Sequence, residues 1–332
     1  MVFCMVAIGG LTRLTESGLS ITSWKPISGI FPPMSEEAWQ QEFTAYQQTP
    51  EFNKKNFGME LSGFKNIFWL EFLHRLLGRV TGLVFFIPLI YFWATKRLET
   101  NLGIKLFGIF LLGGLQGIIG WYMVKSGLVD DPRVSPYRLA LHLVMAVIIL
   151  GLLLWNALSL YPYKNIKNVP DSIRKFSIVV TVLIFLQIIA GAFVAGLDAG
   201  LTYNTFPLMD GKFIPDGLMA MEPRLINLFE NVATVQFNHR IIAYIVALSV
   251  MGFWLFTIKN TTHKGIIFPV NLLFCIMALQ VFLGVITLLN AVPIFLASLH
   301  QICALVLFSV SLFINWILCA RVRRESPKTA KK

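Results

Sequence analysis

Glu71-Phe72-Leu73-His74-Arg75 returns in altered form as Gln236-Phe237-Asn238-His239-Arg240, 165 residues further along a chain of 332. Each copy joins a polar stretch to a long apolar one. A second histidine recurs in the same way two apolar segments later, at His142 in the first half and His300 in the second. A two-histidine arrangement near the starts of equivalent segments predicts two equivalent halves, 1–162 and 163–332. The first copy of the motif carries a carboxylate where the second has an amide, so the halves are expected to do different jobs.

The surrounding composition is that of a polytopic membrane protein: 56% hydrophobic, 14% charged, mean hydropathy +0.70. A spanning helix needs about 20 mostly apolar residues, because its backbone polar groups must be satisfied within the segment. Seven segments qualify: 73–95, 102–124, 138–162, 176–197, 239–258, 266–289 and 293–319. Met1 to Leu11 is apolar but would make only about 17 Å of helix at 1.5 Å per residue. It is read as the outer end of an eighth helix that begins upstream of this numbering, since a signal peptide would need a basic n-region and a small-residue cleavage site.

Matching runs extend the repeat. Gly9 to Leu19 aligns with Gly191 to Leu201, with Glu16 against Asp198 and Gly18 against Gly200, and Gln116-x-x-x-Gly120 aligns with Gln280-x-x-x-Gly284. Four helices per unit return the chain to its starting side, so the expected architecture is all-α, with eight spans in two parallel four-helix bundles.

The net charge of +11 suggests nucleic acid until it is mapped onto these spans. The positives Lys96, Arg97, Lys105, Lys164, Lys167, Arg174, Lys175, Lys259, Lys264, Arg321, Arg323, Arg324, Lys328, Lys331 and Lys332 fall on one side, against only Glu99, Asp171 and Glu325. The positive-inside rule makes that side, with both termini, cytoplasmic. The charge encodes orientation and excludes a nucleic-acid partner. Cys4, Cys275, Cys303 and Cys319 all lie in apolar segments and are read as packing residues. With no CxxCH, covalent haem attachment is excluded.

Residues 14–72 form an outer loop too long for a plain connector, with a helix-start signal at Ser35-Glu36-Glu37, and it is expected to cover something. All four paired histidines open segments that run from outside to inside, within roughly 10 Å of one depth near the outer surface. Two imidazoles facing each other on neighbouring helices suit axial ligation of a haem iron inside a four-helix bundle. One histidine alone would be read as a helix–helix hydrogen bond, but two copies of a pair favour ligation. Zinc fits poorly without a cysteine or second carboxylate nearby, and His263, alone in a cytoplasmic loop, is read as solvated.

Glu71 shares a helix face with His74 if the helix extends back to it. A half that moves protons needs such a group, and a half that only holds a cofactor does not; the plain alternative is an interfacial ion pair with Arg75 or Lys65. Arg75, Arg79 and Arg240 are placed to meet anionic groups such as haem propionates, or to snorkel to lipid headgroups. Arg138, four residues before His142, has Leu296 as its counterpart.

These residues resemble the haem A synthase family of bacterial and mitochondrial inner membranes. The resemblance rests on Gly9-Gly10-Leu11-Thr12-Arg13-Leu14-Thr15-Glu16-Ser17-Gly18-Leu19-Ser20, the Glu71-to-Arg75 motif, Gln116 with Gly120-Trp121, and Tyr137-Arg138-Leu139 with His142. It continues through Tyr203-Asn204-Thr205-Phe206-Pro207, Phe237-Asn238-His239-Arg240 and Leu299-His300-Gln301. The resemblance implies an oxidoreductase that converts the C8 methyl of haem O to the formyl of haem A for terminal oxidases. It implies a haem b cofactor on His239 and His300 with Arg240 nearby, and substrate haem O at His74, His142 and Glu71. Expected partners are haem O, the farnesyltransferase that makes it (haem O synthase), oxidase assembly factors, membrane lipid and a second copy of the chain. The expected location is the cell inner membrane, with the haem sites on its periplasmic side. The lack of an outer-loop cysteine pair points to the alphaproteobacterial and mitochondrial branch. The rivals are a di-haem b-type electron-transfer cytochrome and a transporter built on parallel repeats.

Overall fold

The computed structural model describes residues 1–25, 28–129, 131–161 and 169–319. The expected junction of the halves at 162/163 lies outside the described residues, with Lys164, Lys167, Pro26, Asp130 and the tail residues Arg321, Arg323, Arg324, Glu325, Lys328, Lys331 and Lys332.

The described chain is helical. α1 (Val2–Leu14) is followed by two short outer helices, α2 (Glu36–Gln47) and α3 (Pro50–Lys54). Long helices follow: α4 (Leu61–Ala94), α5 (Thr100–Lys125), α6 (Pro136–Ser159) and α7 (Asp171–Gly196). The last four are the short α8 (Asn227–Glu230), then α9 (Val232–Asn260), α10 (Lys264–Leu289) and α11 (Ile294–Cys319). Seven of these are long and apolar enough to cross a membrane, and α1 is apolar but only 13 residues long. No strand occurs among the described residues beyond the isolated bridge Met209–Lys212.

α4 and α9 begin furthest ahead of the edges that hydropathy alone predicts. α4 starts at Leu61, twelve residues before the expected edge, and at 34 residues it spans roughly 51 Å, well beyond a hydrocarbon core of about 30 Å. The extension exists because Phe64, Phe68 and Phe72, one helical turn apart, pack on Trp39, Phe43 and Tyr46 of α2 and on Phe52 of α3. Ser35 caps α2 by accepting from the Ala38 amide, and Glu36 and Glu37 in the first turn complement the helix dipole. Thr49 and Pro50 start α3. The stretch read as a loop from 14 to 72 is therefore a small aromatic cap standing on α4. α9 likewise starts at Val232, capped by Asn231, which accepts from the Thr234 amide at 2.9 Å. His74 and His239 thus lie several residues inside their helices rather than in a first turn.

The long helices close into two rings. α1 touches α4, α4 touches α5, α5 touches α6, and α6 returns to α1; the same order runs α7, α9, α10, α11 and back to α7. The rings meet through α6 with α7, α1 with α11, and α6 with α11. The main apolar core lies in the second ring, where Ile184, Val250, Phe253, Leu273 and Leu305 interlock; from the first ring the buried Val6 and Val147 join it, with Phe3, Leu143, Ala146, Leu150 and Leu158 packed against it half-buried.

Candidate functional site

Each ring carries its two histidines on helices that lie opposite one another: α4 and α6 hold His74 and His142, while α9 and α11 hold His239 and His300. The expectation of neighbouring helices is corrected here. Groups that approach a planar macrocycle from its two faces must come from across the ring.

Every imidazole lies against a glycine of the adjacent helix. A Cβ placed on Gly9 would stand 3.2 Å from His74 Nε2, and one on Gly191 would stand 3.3 Å from His239 Cε1. At Gly120 and Gly284 the Cβ would come within 2.8 Å of the Cε1 of His142 and His300. At Gly120 and Gly284 a side chain would force the imidazole to shift, and at Gly9 and Gly191 it would press on it. Three of the histidines also meet a glutamine one turn from that glycine. Gln116 donates to the His142 carbonyl at 3.0 Å, with its Nε2 3.4 Å from the imidazole Nε2. Gln187 donates to the His239 carbonyl at 3.1 Å and lies 3.2 Å from both ring nitrogens, and Gln280 is 3.4 Å from His300 Nε2. The sequence reading took Gln116 and Gln280 as repeat markers only and missed Gln187, although Gln-x-x-x-Gly at 187/191 was the available signal.

Glu71 is buried and held by four donors. Ser20 Oγ (2.7 Å) and the Ile21 amide (2.8 Å) donate to Oε2, and Arg75 donates to Oε1 through Nε (3.0 Å) and Nη2 (2.6 Å). The plain alternative, an ion pair with Arg75, is therefore present, whereas Lys65 pairs with Glu36. Arg75 also binds the carbonyls of Ser23 and Ile21, so the pair ties the strap that follows α1 onto α4. The second ring has the same clamp with opposite polarity. Gln236 donates to the carbonyls of Ala199 (3.0 Å) and Thr202 (2.7 Å), and Arg240 donates to those of Tyr203, Thr205 and Leu208. The guanidiniums of Arg75 and Arg240 are thus directed into the outer straps, and Arg79 binds the Lys25 carbonyl. Arg138 stacks on Tyr122, 3.7 Å from its ring centroid, and donates to the Tyr122 carbonyl near the end of α5. His263 is exposed and caps α10, matching its solvated reading.

The donor set tests what the rings can hold. Among the described residues no group of three or more His, Cys, Asp or Glu gathers as a metal site, which leaves paired imidazoles in glycine-backed slots. The Nδ1 atoms of His142 and His300 and the Oε1 atoms of Gln116, Gln187 and Gln280 are buried without a partner. Paired imidazoles, three of the four beside a glutamine amide whose oxygen is unused, fit axial ligation of a haem iron.

The sequence matches the cytochrome oxidase assembly protein family over residues 1–312. The heme A synthase of Nitrosospira multiformis is 49% identical over 318 residues, 95% of this chain and 89% of the relative. The chain belongs to the haem A synthase family. The heme A synthase of Parvibaculum lavamentivorans is 49% identical over 313 residues (94% of this chain, 90% of the relative), and that of Wolbachia pipientis wMel is 46% identical over 315 (94% and 88%).

Proposed function

We propose that this protein oxidises the C8 methyl group of haem O to the formyl group of haem A, with the substrate in the first ring and a haem b cofactor in the second. The observation that carries this reading is the duplicated imidazole pair with a carboxylate in only one copy. The four-helix rings around these pairs support a division into an N-terminal substrate half, 1–162, and a C-terminal cofactor half, 163–332.

In the first ring His74 and His142 hold the substrate haem O, and Glu71, one turn toward the outer side from His74, accepts protons released as the methyl is oxidised. Arg75 keeps the carboxylate fixed, and the Ser20 hydroxyl and the Ile21 amide on Oε2 tie it to the strap. In the second ring His239 and His300 ligate haem b, which when bound supplies an electron relay. There Gln236 and Arg240 hold the outer strap over the site and need not titrate. The cap of α2 and α3 shields the substrate side from water.

The basic side of the membrane, by the positive-inside rule, supports cytoplasmic termini in an inner membrane with both sites near the periplasmic face. The supplier of the substrate is then the farnesyltransferase that makes haem O. The consumers are factors that assemble terminal oxidases, and a second copy of the chain is a further partner.

Extraction of haems after expression with and without a source of haem O tests the reading. Haem b is expected in both preparations and the formyl haem only in the first. Two permanent b-type haems with no formyl product would make the protein an electron carrier instead.

A further inference from the structure

Four imidazoles stand on four glycines, but only three have a glutamine. Gln116, Gln187 and Gln280 each precede by four residues the glycine that backs a histidine: Gly120, Gly191 and Gly284. The fourth glycine, Gly9, is preceded by Met5. The Met5 thioether reaches α4 at the equivalent place, where its Cε would lie 3.4 Å from a Cβ on Gly78, one turn beyond His74. The second ring has Ala243 at that position, and Gln187 there bonds to His239. No side-chain hydrogen bond to His74 occurs among the described residues.

An imidazole that binds iron through one nitrogen carries a proton on the other. In a buried site that N–H needs an acceptor, which also fixes the ring's orientation and strengthens its bond to the metal. The amides of the three glutamines stand against these rings, with Nε2 3.2 to 3.4 Å from a ring nitrogen of His142, His239 and His300 and with Oε1 buried and unpartnered; a half-turn of the amide presents that oxygen as the acceptor. A thioether is a weak acceptor and leaves the ring free to turn.

We infer that Gln116, Gln187 and Gln280 are positioning residues for their histidines, and that Met5 leaves His74 as the exchangeable ligand of the first ring. The second ring has two supported imidazoles and retains its haem. The first has one supported and one unsupported imidazole, so a haem can be bound through His142 and released, and iron can be exposed on the His74 side. This rests on the proposed division between substrate and cofactor rings.

The test exchanges the two side chains between the rings and reads ligation rather than turnover. Haem O is titrated into detergent-purified holoprotein, and spin state is followed by electron paramagnetic resonance, with carbon monoxide binding to the reduced haem as a second readout. Wild type is expected to show a first-ring haem that is partly high-spin and binds carbon monoxide, beside a low-spin second-ring haem that does not. Met5→Gln should make the first-ring haem low-spin and slow its release by about 10- to 100-fold. Gln187→Met should do the reverse to the second-ring haem, opening it to carbon monoxide; an unchanged second-ring spectrum in Met5→Gln certifies its fold. If Met5→Gln and Gln187→Met both leave spin state, carbon monoxide binding and release unchanged, the inference is overturned while the division of labour stands. If wild type takes up no haem O in the first ring at all, the functional reading fails first and this one with it.

Discussion

The two rings share one plan and differ in how tightly they are packed. Half of the most apolar stretch of α11 is buried within the protein, against 6% for α4. In a bilayer, lipid tails are as apolar as leucine, so burial of this kind measures van der Waals packing between helices rather than escape from water. Side chains of the second ring interlock and resist displacement. Those of α4 and α5 mostly face outward, and the first ring owes its outer order to the aromatic cap. The acids follow the same division, since the buried acids among the described residues, Glu51 and Glu71, both belong to the first half. A tightly packed ring without buried acids suits a resident cofactor, and a looser ring with a carboxylate suits a substrate that enters, loses protons and leaves.

The largest effect that sharpens this contrast comes from the ligands. His239→Ala or His300→Ala is expected to abolish bound haem b, read as loss of the low-spin spectrum, whereas His142→Ala should stop formyl production and leave haem b in place. Loss of haem b in His142→Ala would show that the rings are not separate sites.

Next is Glu71→Gln, which copies the second ring's side chain into the first. A missing general base lowers a rate by about 10²–10⁴, so haem A should fall by that range, with haem O or its hydroxymethyl derivative accumulating, while haem b is kept. Because Glu71 also clamps the strap through Ser20 and Arg75, Ser20→Ala is the control: it loosens the clamp and spares the carboxylate. Equal losses in the two variants would reduce Glu71 to a structural ion pair.

The sequence makes most of this contrast visible, for physical reasons that differ by residue. Long apolar runs revealed the spans because lipid tolerates little else, and the duplicated histidines stood out because such residues are rare at that depth. The early start of α4 was hidden, since Phe64, Phe68 and Phe72 make sense as a helix face only once α2 supplies the other half of the core. The glutamines were hidden for a similar reason: a lone polar residue on an apolar helix reveals its partner only after the ring closes. The placement of paired histidines on opposite helices followed from ring order, which spacing along the chain does not encode.

A smaller and more symmetric effect is expected at the glycines. Alanine at Gly120 or Gly284 puts a methyl 2.8 Å from His142 or His300, and overpacking of this kind costs about 1–3 kcal/mol. Gly284→Ala should shift the spectrum of haem b and speed its loss. Gly120→Ala should weaken substrate haem binding by roughly tenfold and leave that spectrum alone. A Gly120→Ala variant with a disturbed haem b would break the equivalence of the two slots.

The smallest effect concerns the cap that only the first ring possesses. Glu51 is 2% exposed, and its main side-chain partner is the Tyr46 hydroxyl, which donates at 3.1 Å while Asn56 donates to the Tyr46 oxygen at 2.7 Å. Burial pushes the Glu51 carboxyl up to about 7 from an ordinary 4.5, and pushes the Tyr46 hydroxyl up as well. A carboxyl that titrates higher in the folded cap than in the unfolded chain stabilises the cap fully below about 4.5. That contribution, on the order of 3 kcal/mol, is lost as pH rises through about 7. Local opening of α2 and α3, followed by hydrogen exchange, should therefore become easier between pH 5 and pH 8, with the second ring unaffected. Glu51→Gln keeps the shape without the charge and should flatten that dependence, leaving the cap as protected at pH 8 as at pH 5. If the variant keeps the wild-type slope, the pH sensitivity belongs to another group and the cap is not weakened by its buried acid.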